Sequence, residues 1–338
     1  MAFQKIIRVF SFITIILILS CACDYKNDSY GNFDEIIVIA DSNLYLNVRP
    51  QVEQIFDRYI YTPHVERSFL LNYQTYERLG IFQMRRNLLF LAILDGEDAV
   101  SKYISNALSE EVKNAIRSGR IFQIFHRDFF ASDQMAIILC AENLSDLKDK
   151  MKNQADAIYT ELEDYHFERL SKIMFLRAEQ KLLEEYFANT MGWEMRIQHD
   201  YFVAQESSDK NFVWLRRLKP DRSLFVFRQK ASALPDGEEW LINLRDSITT
   251  QYFEGDSVEI SDTYIQRINF NERPALKMVG VWQNHKLLVG GPFRTFVLHD
   301  PNKNYVYLID FQVTAPGKRK KPFLDQLEVM ARSFRIRG

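Results

Sequence analysis

The sequence predicts an α+β protein: antiparallel β-meanders with packed helices and one long central helix, in an order that also allows two similar halves. Three observations carry this expectation. A chain of 338 residues, 47% hydrophobic and 26% charged, has apolar material for one large or two ordinary domains. Aromatic residues make up 14%, including 26 Phe and 16 Tyr, as suits a pleated sheet. Only 12 Gly and 9 Pro leave few sharp turns, which argues against arrays of short strands.

The first structural run, EIIVIA between Asp34 and Asp41, has the length and branching of a buried strand. Pro50 suits a first helical turn, with Val52, Ile55, Phe56 and Tyr59 on one face. Strand-like SFLLNY and NLLFLAIL follow, then a helix from Glu97 to about Arg117 stopped by Gly119, then strands IFQIFH and MAIILCA. These form an N-terminal α/β half over 34–142. From Asn143 to Met191 there is neither Pro nor Gly, and apolar residues recur in steps of threes and fours: one long helix or a helix pair. Unbroken, about 45 residues would measure nearly 70 Å, so the polar stretch Glu161-Glu163-Asp164 is where a bend is expected.

The C-terminal α+β half, 192–338, opens with WEMRIQ, YFVAQE, NFVWLRRL and SLFVFRQ, the last two joined by a turn at Lys219-Pro220-Asp221-Arg222. A helix over Glu238–Tyr252 carries the stripe Leu241, Leu244, Ile248, Tyr252, with Asp236 and Glu239 spaced as a capping box. A meander of LKMVGVW, KLLVGG, FRTFVLH and YVYLIDFQV precedes a closing helix opened by Pro322 and faced by Phe323, Leu327, Met330 and Phe334. Both halves run strand, helix, strands, helix. That order permits a duplication, although no residue-level repeat accompanies it.

The N-terminus is an address. Lys5 and Arg8 precede an apolar core, Val9–Leu19, of about half the twenty residues a spanning helix needs, so residues 1–20 have the layout of a secretory signal. Ile18-Leu19-Ser20-Cys21 resembles the lipobox of bacterial lipoproteins, with an aliphatic residue three before the cysteine and a small residue beside it. The expectation is lipidation at Cys21, a tether over 21–33, and attachment to the outer membrane through the lipid. Cleavage would remove Lys5 and Arg8 and take the net charge from -2 to -4. With Cys21 acylated, Cys23 and Cys140 give no disulfide framework, and Cys140 inside MAIILC is a small buried hydrophobe.

A charge of -2 with no basic excess argues against nucleic acid. No two glycines stand two, four or five apart, which excludes GxGxxG, GxSxG and Walker loops. The six histidines are isolated, so no local metal pair and no cofactor is expected. His126-Arg127-Asp128 spells a kinase tripeptide, but Asp133 stands where the second asparagine ligand belongs.

The segments FVWLRR, LRDSI, GVWQ and GGPF, with the lipobox and Arg85-Arg86-Asn87, resemble those of the Bacteroidota-type lipoproteins of domain of unknown function 4837. The resemblance implies an envelope lipoprotein without an assigned activity and carries over no catalytic residue. The C-terminal meander and helix are also similar in pattern to the small binding domains of the PsbP and Mog1 type. The expected function is a non-catalytic binding or interaction module of the envelope, with an envelope protein as candidate partner. The competing reading is a hydrolase whose site is assembled from distant residues.

Two candidate surfaces follow. Trp214 and Arg216 share a strand face with Phe212 by the period of two, opposite Val213 and Leu215, which are expected on the core-facing side. With Trp282 and the paired Gly290 and Gly291, which break an otherwise regular strand and permit close approach by a ligand or by a neighbouring segment, they are expected to border the functional groove. Lys318, Arg319, Lys320 and Lys321 form a basic loop expected to lie in solvent or on anionic headgroups. For Arg216 and Arg217, and for Arg85 and Arg86, Asp246 or Glu259 are candidate carboxylate partners.

The lipobox makes a direct prediction. Cys21→Ala leaves an unprocessed precursor that takes up no labelled palmitate; label in the mutant would move the acceptor elsewhere.

Overall fold

The structure is a computed structural model that describes residues 26–337 apart from 61, 208, 210, 235 and 236. The signal segment, Cys21 and Asp236 of the expected capping box lie outside the described residues. In chain order the elements are β1 (Glu35–Ile39), α1 (Ser42–Phe56), β2 (Tyr59–Ile60), β3 (Glu66–Arg67), β4 (Leu70–Gln74), α2 (Leu79–Phe82), β5 (Asn87–Ile93), α3 (Ala99–Ala107), α4 (Glu110–Arg117), β6 (Gln123–Arg127) and β7 (Met135–Ala141). There follow α5 (Leu144–Asn153), α6 (Ala155–Met174), α7 (Lys181–Thr190), β8 (Trp193–Glu194), β9 (Phe202–Ser207), β10 (Phe212–Arg217), β11 (Asp221–Lys230) and α8 (Glu238–Tyr252). The chain ends with β12 (Ser257–Phe270), β13 (Arg273–Asn284), β14 (Val289–Asp300), β15 (Tyr305–Thr314), α9 (Lys321–Arg332) and β16 (Arg335–Ile336). The fold class is α+β, in two compact units: residues up to Leu46 with Asn72–Leu147, and Asn47–Leu71 with the residues from Lys148 on.

The first unit is built on a five-stranded sheet in the order β4-β1-β5-β7-β6. Its centre is parallel, β5 pairing with both β1 and β7, and β6 closes antiparallel on β7. Central parallel strands are covered on both faces, hence the continuous apolar runs NLLFLAI and MAIILCA. Leu79 and Phe82 of α2, Val100 and Ile104 of α3 and Ile116 of α4 pack on Leu88, Phe90, Ala136 and Ile138. Cys140 is buried in the same cluster, and burial pushes its thiol up to about 12, so it acts as a packing residue. The side-chain amide of Gln134 donates to the carbonyls of Gln83 (2.7 Å) and Arg85 (2.6 Å) and accepts from the Phe130 N–H (2.7 Å), which ties the loops below the sheet.

Several expectations change in this region. Helix α1 begins at Ser42, where Asp41 Oδ1 accepts from the N–H groups of Asn43 (2.8 Å) and Leu44 (3.2 Å), and Pro50 is inside the helix rather than in its first turn. The tether ends earlier than residue 33. Ser29 N–H bonds the Ser132 carbonyl and Tyr30 N–H the Met84 carbonyl, both at 3.0 Å, so the chain is docked on the domain from about Lys26. The expected helix of 97–117 is two, parted at Leu108 and Ser109, with the Ser109 hydroxyl capping the second.

The second unit holds a seven-stranded antiparallel sheet in the order β12-β13-β14-β15-β11-β10-β9. One face packs under α8 through Phe212, Phe225, Met278, Phe293, Val297 and Leu308. The other carries α9, which also packs against α6. The long helix expected over 143–191 is three helices, broken at Gln154 and between Phe175 and Gln180, where Ala178 takes a left-handed conformation (φ 55°). The polar stretch at 161–164 lies inside α6 and does not bend it. The two units do not share a topology, one sheet being parallel at its centre and the other antiparallel throughout, so the similarity between halves is not present. Strand β12 is an edge element whose exposed polar residues hid it from sequence reading.

The basic loop is the main correction. Lys318 is exposed and Arg319 half-buried, but Lys320 and Lys321 are buried. The Arg319 guanidinium donates to the Arg67 carbonyl (2.9 Å), and the Glu66 carboxylate accepts from the N–H groups of Lys320 (2.8 Å) and Lys321 (3.0 Å), capping α9. The Lys321 ammonium is ion-paired with Asp325, which also takes His166 Nε2 at 2.9 Å. One turn on, Glu328 gathers Lys277 (3.3 Å), Arg332 (2.8 Å) and Arg294. Burial opposes ionisation of Asp325, but Lys321, His166 and Arg294 outweigh it and hold the carboxyl well below the usual carboxylate range. Burial likewise opposes Glu328, and Lys277, Arg294 and Arg332 overcome it.

Lys321→Ser therefore removes one of the partners of a buried carboxylate, leaving His166 and Arg294, and costs about 1–3 kcal/mol in urea unfolding at pH 7, whereas Lys318→Ser is neutral. Because the folded-state value of Asp325 is depressed, its contribution is full above the ordinary carboxylate range and is lost as pH falls through the folded value. The Lys321→Ser penalty thus shrinks in acid; a penalty that grows below pH 4 would overturn the pairing.

Candidate functional site

Phe212, Trp214 and Arg216 share the face toward α8, but that face is core as well, since Phe212 is as fully buried as Val213 and Leu215 on the side expected to face the core; the register against β11 and β15 extends the α8 face across the sheet. Arg216 lies opposite Ser223, and Ser223 opposite Gln312. Asp221 lies opposite Thr314 in the next row, and on β13 Trp282 is opposite Gly291. At the C-terminal end of α8, where Tyr252, Phe253 and Asp256 leave the helix, these residues enclose a cavity of about 450 Å³. Leu287 and Val289 of the β13–β14 hairpin form its lip.

One wall is aromatic. The Trp214 ring packs 4.4 Å from that of Phe253, and Phe212 stacks on Tyr252 at 3.8 Å behind it. Trp282, only 3% exposed, closes the opposite side. The indole N–H groups of Trp214 and Trp282 are buried, and neither has a hydrogen-bond acceptor among the described residues. Each is a donor left unmatched at a cost of about 1–3 kcal/mol.

The floor is polar and holds two closed ion pairs and an amide-bonded carboxyl, with the exposed Glu254 carboxylate at its edge. Arg216 makes a two-pronged pair with Asp221, Nε to Oδ1 at 2.9 Å and Nη2 to Oδ2 at 2.6 Å. Below it Arg245 of α8, fully buried, donates to Asp310 Oδ2 (2.8 Å) and to Gln312 Oε1 (2.8 Å). Gln312 Nε2 in turn donates to Asp256 Oδ2 (3.1 Å), and Asn284 Nδ2 to Asp256 Oδ1 (2.8 Å). Burial pushes the Asp256 carboxyl up, against the pull of these amide donors and Arg245.

Trp214, Arg216 and Trp282 are thus brought together as expected, while Gly290 and Gly291 play a different part. Strand β14 runs unbroken from Val289, paired with β13 throughout. A Cβ on Gly291 would stand 2.0 Å from the Val313 carbonyl, and one on Gly290 2.7 Å from that of Trp282, so the glycines admit neighbouring backbone rather than ligand. Gly290 borders a separate recess outside the hairpin with Pro63 and Leu288. The proposed carboxylate partners are also replaced: Arg216 uses Asp221, Arg217 uses Asp200, Arg85 faces Glu35 at 3.8 Å and Arg86 donates to the Gly31 carbonyl. Asp246 accepts from Val258 N–H and Glu259 from the Gln283 amide. Arg245, Asp256, Asp310 and Gln312 were missed. Their signal was a lone arginine inside the apolar stripe of α8 and a lone aspartate in the apolar run YLIDFQV.

No group of three or more metal-ligating side chains occurs among the described residues. Neither serine nor threonine of the floor has a histidine beside it in the cavity lining, so the arrangement holds fixed donors, acceptors and ring faces.

Fold and site together define an α+β protein of two domains, the second of which carries the cavity. Residues 29–175 match the model of the family Domain of unknown function (DUF8532), and residues 180–333 that of Domain of unknown function (DUF4837). The C-terminal region is thus similar to the DUF4837 family. No curated protein matches it. Among solved structures it is similar to a Bacteroides thetaiotaomicron VPI-5482 protein at 9% identity over 44% of this chain and 46% of that one, TM-score 0.28; the chain spans about half that protein's length. It is similar to the Saccharomyces cerevisiae Ran-binding protein Mog1p at 10% identity over 43% and 90%, TM-score 0.30. It is also similar to LpqN, involved in cell envelope biogenesis of Mycobacterium tuberculosis, at 11% over 43% and 83%, TM-score 0.29. Likenesses of this size carry no argument about function.

The glycine geometry is testable. Gly291→Ala drives a methyl into the Val313 carbonyl and destabilises by about 1–3 kcal/mol, whereas Gly80→Ala, in helix α2 with open space around it, is neutral or stabilising by up to about 1 kcal/mol. Equal effects in thermal melts would contradict the close strand approach.

Proposed function

We propose that this is a lipid-anchored protein of the cell envelope, held at the outer membrane through Cys21, whose DUF4837 domain is a non-catalytic binding module with its site in the α8-face cavity. The anchor rests on the lipobox; no described helix is long and apolar enough to cross a membrane. The binding reading rests on one observation: Arg216 and Asp221 are closed on each other and the Asp256 carboxyl is held by two amides, beside the partly exposed ring of Trp214. Such a surface recognises without supplying a proton or a nucleophile.

Hydrolysis is the second reading, because Asp256 is a cavity carboxyl that burial pushes toward the protonated form. Its two oxygens accept from Asn284 and Gln312, which hold the carboxyl fixed within the floor. The expected result is that the purified full chain turns over no generic ester, glycoside or peptide substrate. Turnover that disappears in Asp256→Asn would replace the binding reading with hydrolysis.

A further inference from the structure

We infer that the cavity takes a small organic ammonium ion, its charge beside the Glu254 carboxylate and its hydrocarbon body against the partly exposed Trp214 ring and the hairpin lip; this rests on the binding reading above. The sign of the ligand follows from the charges left over. On the α8 face Arg216 is cancelled by its two-pronged pair with Asp221, while Arg222 points to the other face of the sheet, where its guanidinium lies 5.0 Å over the Phe323 ring. The buried Arg245 is closed on Asp310. Two carboxyl groups of the lining keep no cation of their own. Glu254 is exposed, and its carboxylate has no hydrogen-bond or ion-pair partner among the described residues. Asp256 is buried and accepts from the Asn284 and Gln312 amides, which orient it without neutralising it. An anion entering the cavity therefore meets an excess of negative charge, and a cation is drawn in.

The lining also decides what carries the charge. A bare metal ion needs several ligand atoms converging on one point, and no group of three or more metal-ligating side chains occurs among the described residues. Beside the carboxylates the cavity offers hydrocarbon instead: the Trp214 ring, packed 4.4 Å from that of Phe253, and Leu287 and Val289, exposed at the lip. The Arg216 guanidinium already lies 5.5 Å over the Trp214 ring, so the ring supplies contact area for a ligand's CH2 groups rather than a seat for its charge. An ammonium group on an aliphatic body satisfies both halves of the site. Its N–H groups donate to Glu254, and its chain withdraws apolar surface from water. Glu254 is itself held in place, in a left-handed conformation (φ 58°) with its carbonyl accepting from the Asn284 amide at 3.4 Å. The volume of about 450 Å³ falls within the range of small-molecule sites.

The test titrates the tryptophan emission of the purified full chain with hexylammonium, hexanol and hexanoate, three probes that share one body and differ in charge. The expected outcome is saturable binding of hexylammonium, about threefold to fivefold tighter than hexanol, with hexanoate weaker than both. Glu254→Gln keeps the length of the side chain and removes its charge; it brings hexylammonium to the affinity of hexanol and leaves hexanol unchanged. Leu287→Lys, at an exposed position of the lip, weakens hexylammonium about threefold and strengthens hexanoate. Hexylammonium binding that Glu254→Gln leaves unchanged places the cation elsewhere and overturns the inference. If hexanol or hexanoate binds at least as tightly as hexylammonium, the ammonium inference falls; the binding reading stands where Leu287→Lys alters that binding and falls with it where it does not. If none of the three probes shifts the emission, both fall.

Discussion

A guanidinium with no exposure to water sits between helix and sheet in the second unit, and the arrangement of the cavity depends on how it is neutralised. Arg245 of α8 bonds Asp310 and Gln312 on β15, its charge lies 3.9 Å above the Phe293 ring, and Thr295 donates to the same Asp310 oxygen at 2.6 Å. Leaving such a charge unpaired would cost several kcal/mol, so α8 has one acceptable position along the strands. Apolar packing alone tolerates sliding; a two-pronged ion pair does not. Gln312 then hands the constraint on to Asp256, and Asp256 to Asn284 at the end of β13. The loop leaving α8 and the hairpin lip are thereby fixed to the same floor.

The opposite face solves a similar problem with more charges. Asp325 and Glu328 are separated by one helical turn and both point from α9 onto the sheet, where Arg294 and Lys277 rise to meet them. His166 of α6 and Lys321 complete the first cluster, and Arg332 the second. The helix that closes the chain is therefore registered by ion pairs as well as by Leu324, Leu327 and Met330, and Glu66 holds its first turn. Each face of the sheet has its own buried electrostatic lock, and the apolar cores fill the space between them.

These locks mark where sequence reading succeeded and where it stopped. Strands β5 and β7 were legible because short branched runs have one stable use in an α+β protein. Trp214, Arg216 and Trp282 were placed at one site because a period of two is preserved through an unbroken register. The break at Ala178 was not legible: no glycine or proline announces it, and an apolar period continues across it. Lys320 and Lys321 were misjudged because a run of cations ordinarily stays in solvent, and the carboxylates that bury them, Glu66 and Asp325, are far away or one helical turn on. Gly290 and Gly291 were read as admitting either a ligand or a neighbouring segment, and the register selects the segment, since a sequence shows that something comes close but not what it is. The Arg245 network had a signal, a charge inside an apolar stripe, whose partner only the register supplies.

The same network bears on what the cavity can do. A reacting site needs at least one group whose proton or electron pair is free to move, and enzymes obtain it by leaving a buried titratable group short of partners. Here Asp256 has the burial but not the shortage, because Asn284 and Gln312 occupy its two oxygens. Asp221 has the exposure to reach a ligand but is held by Arg216. The lining adds the exposed Glu254 carboxylate at its edge and the partly exposed ring of Trp214. On the binding reading proposed above, those two groups meet a ligand while the pairs beneath them hold the floor still.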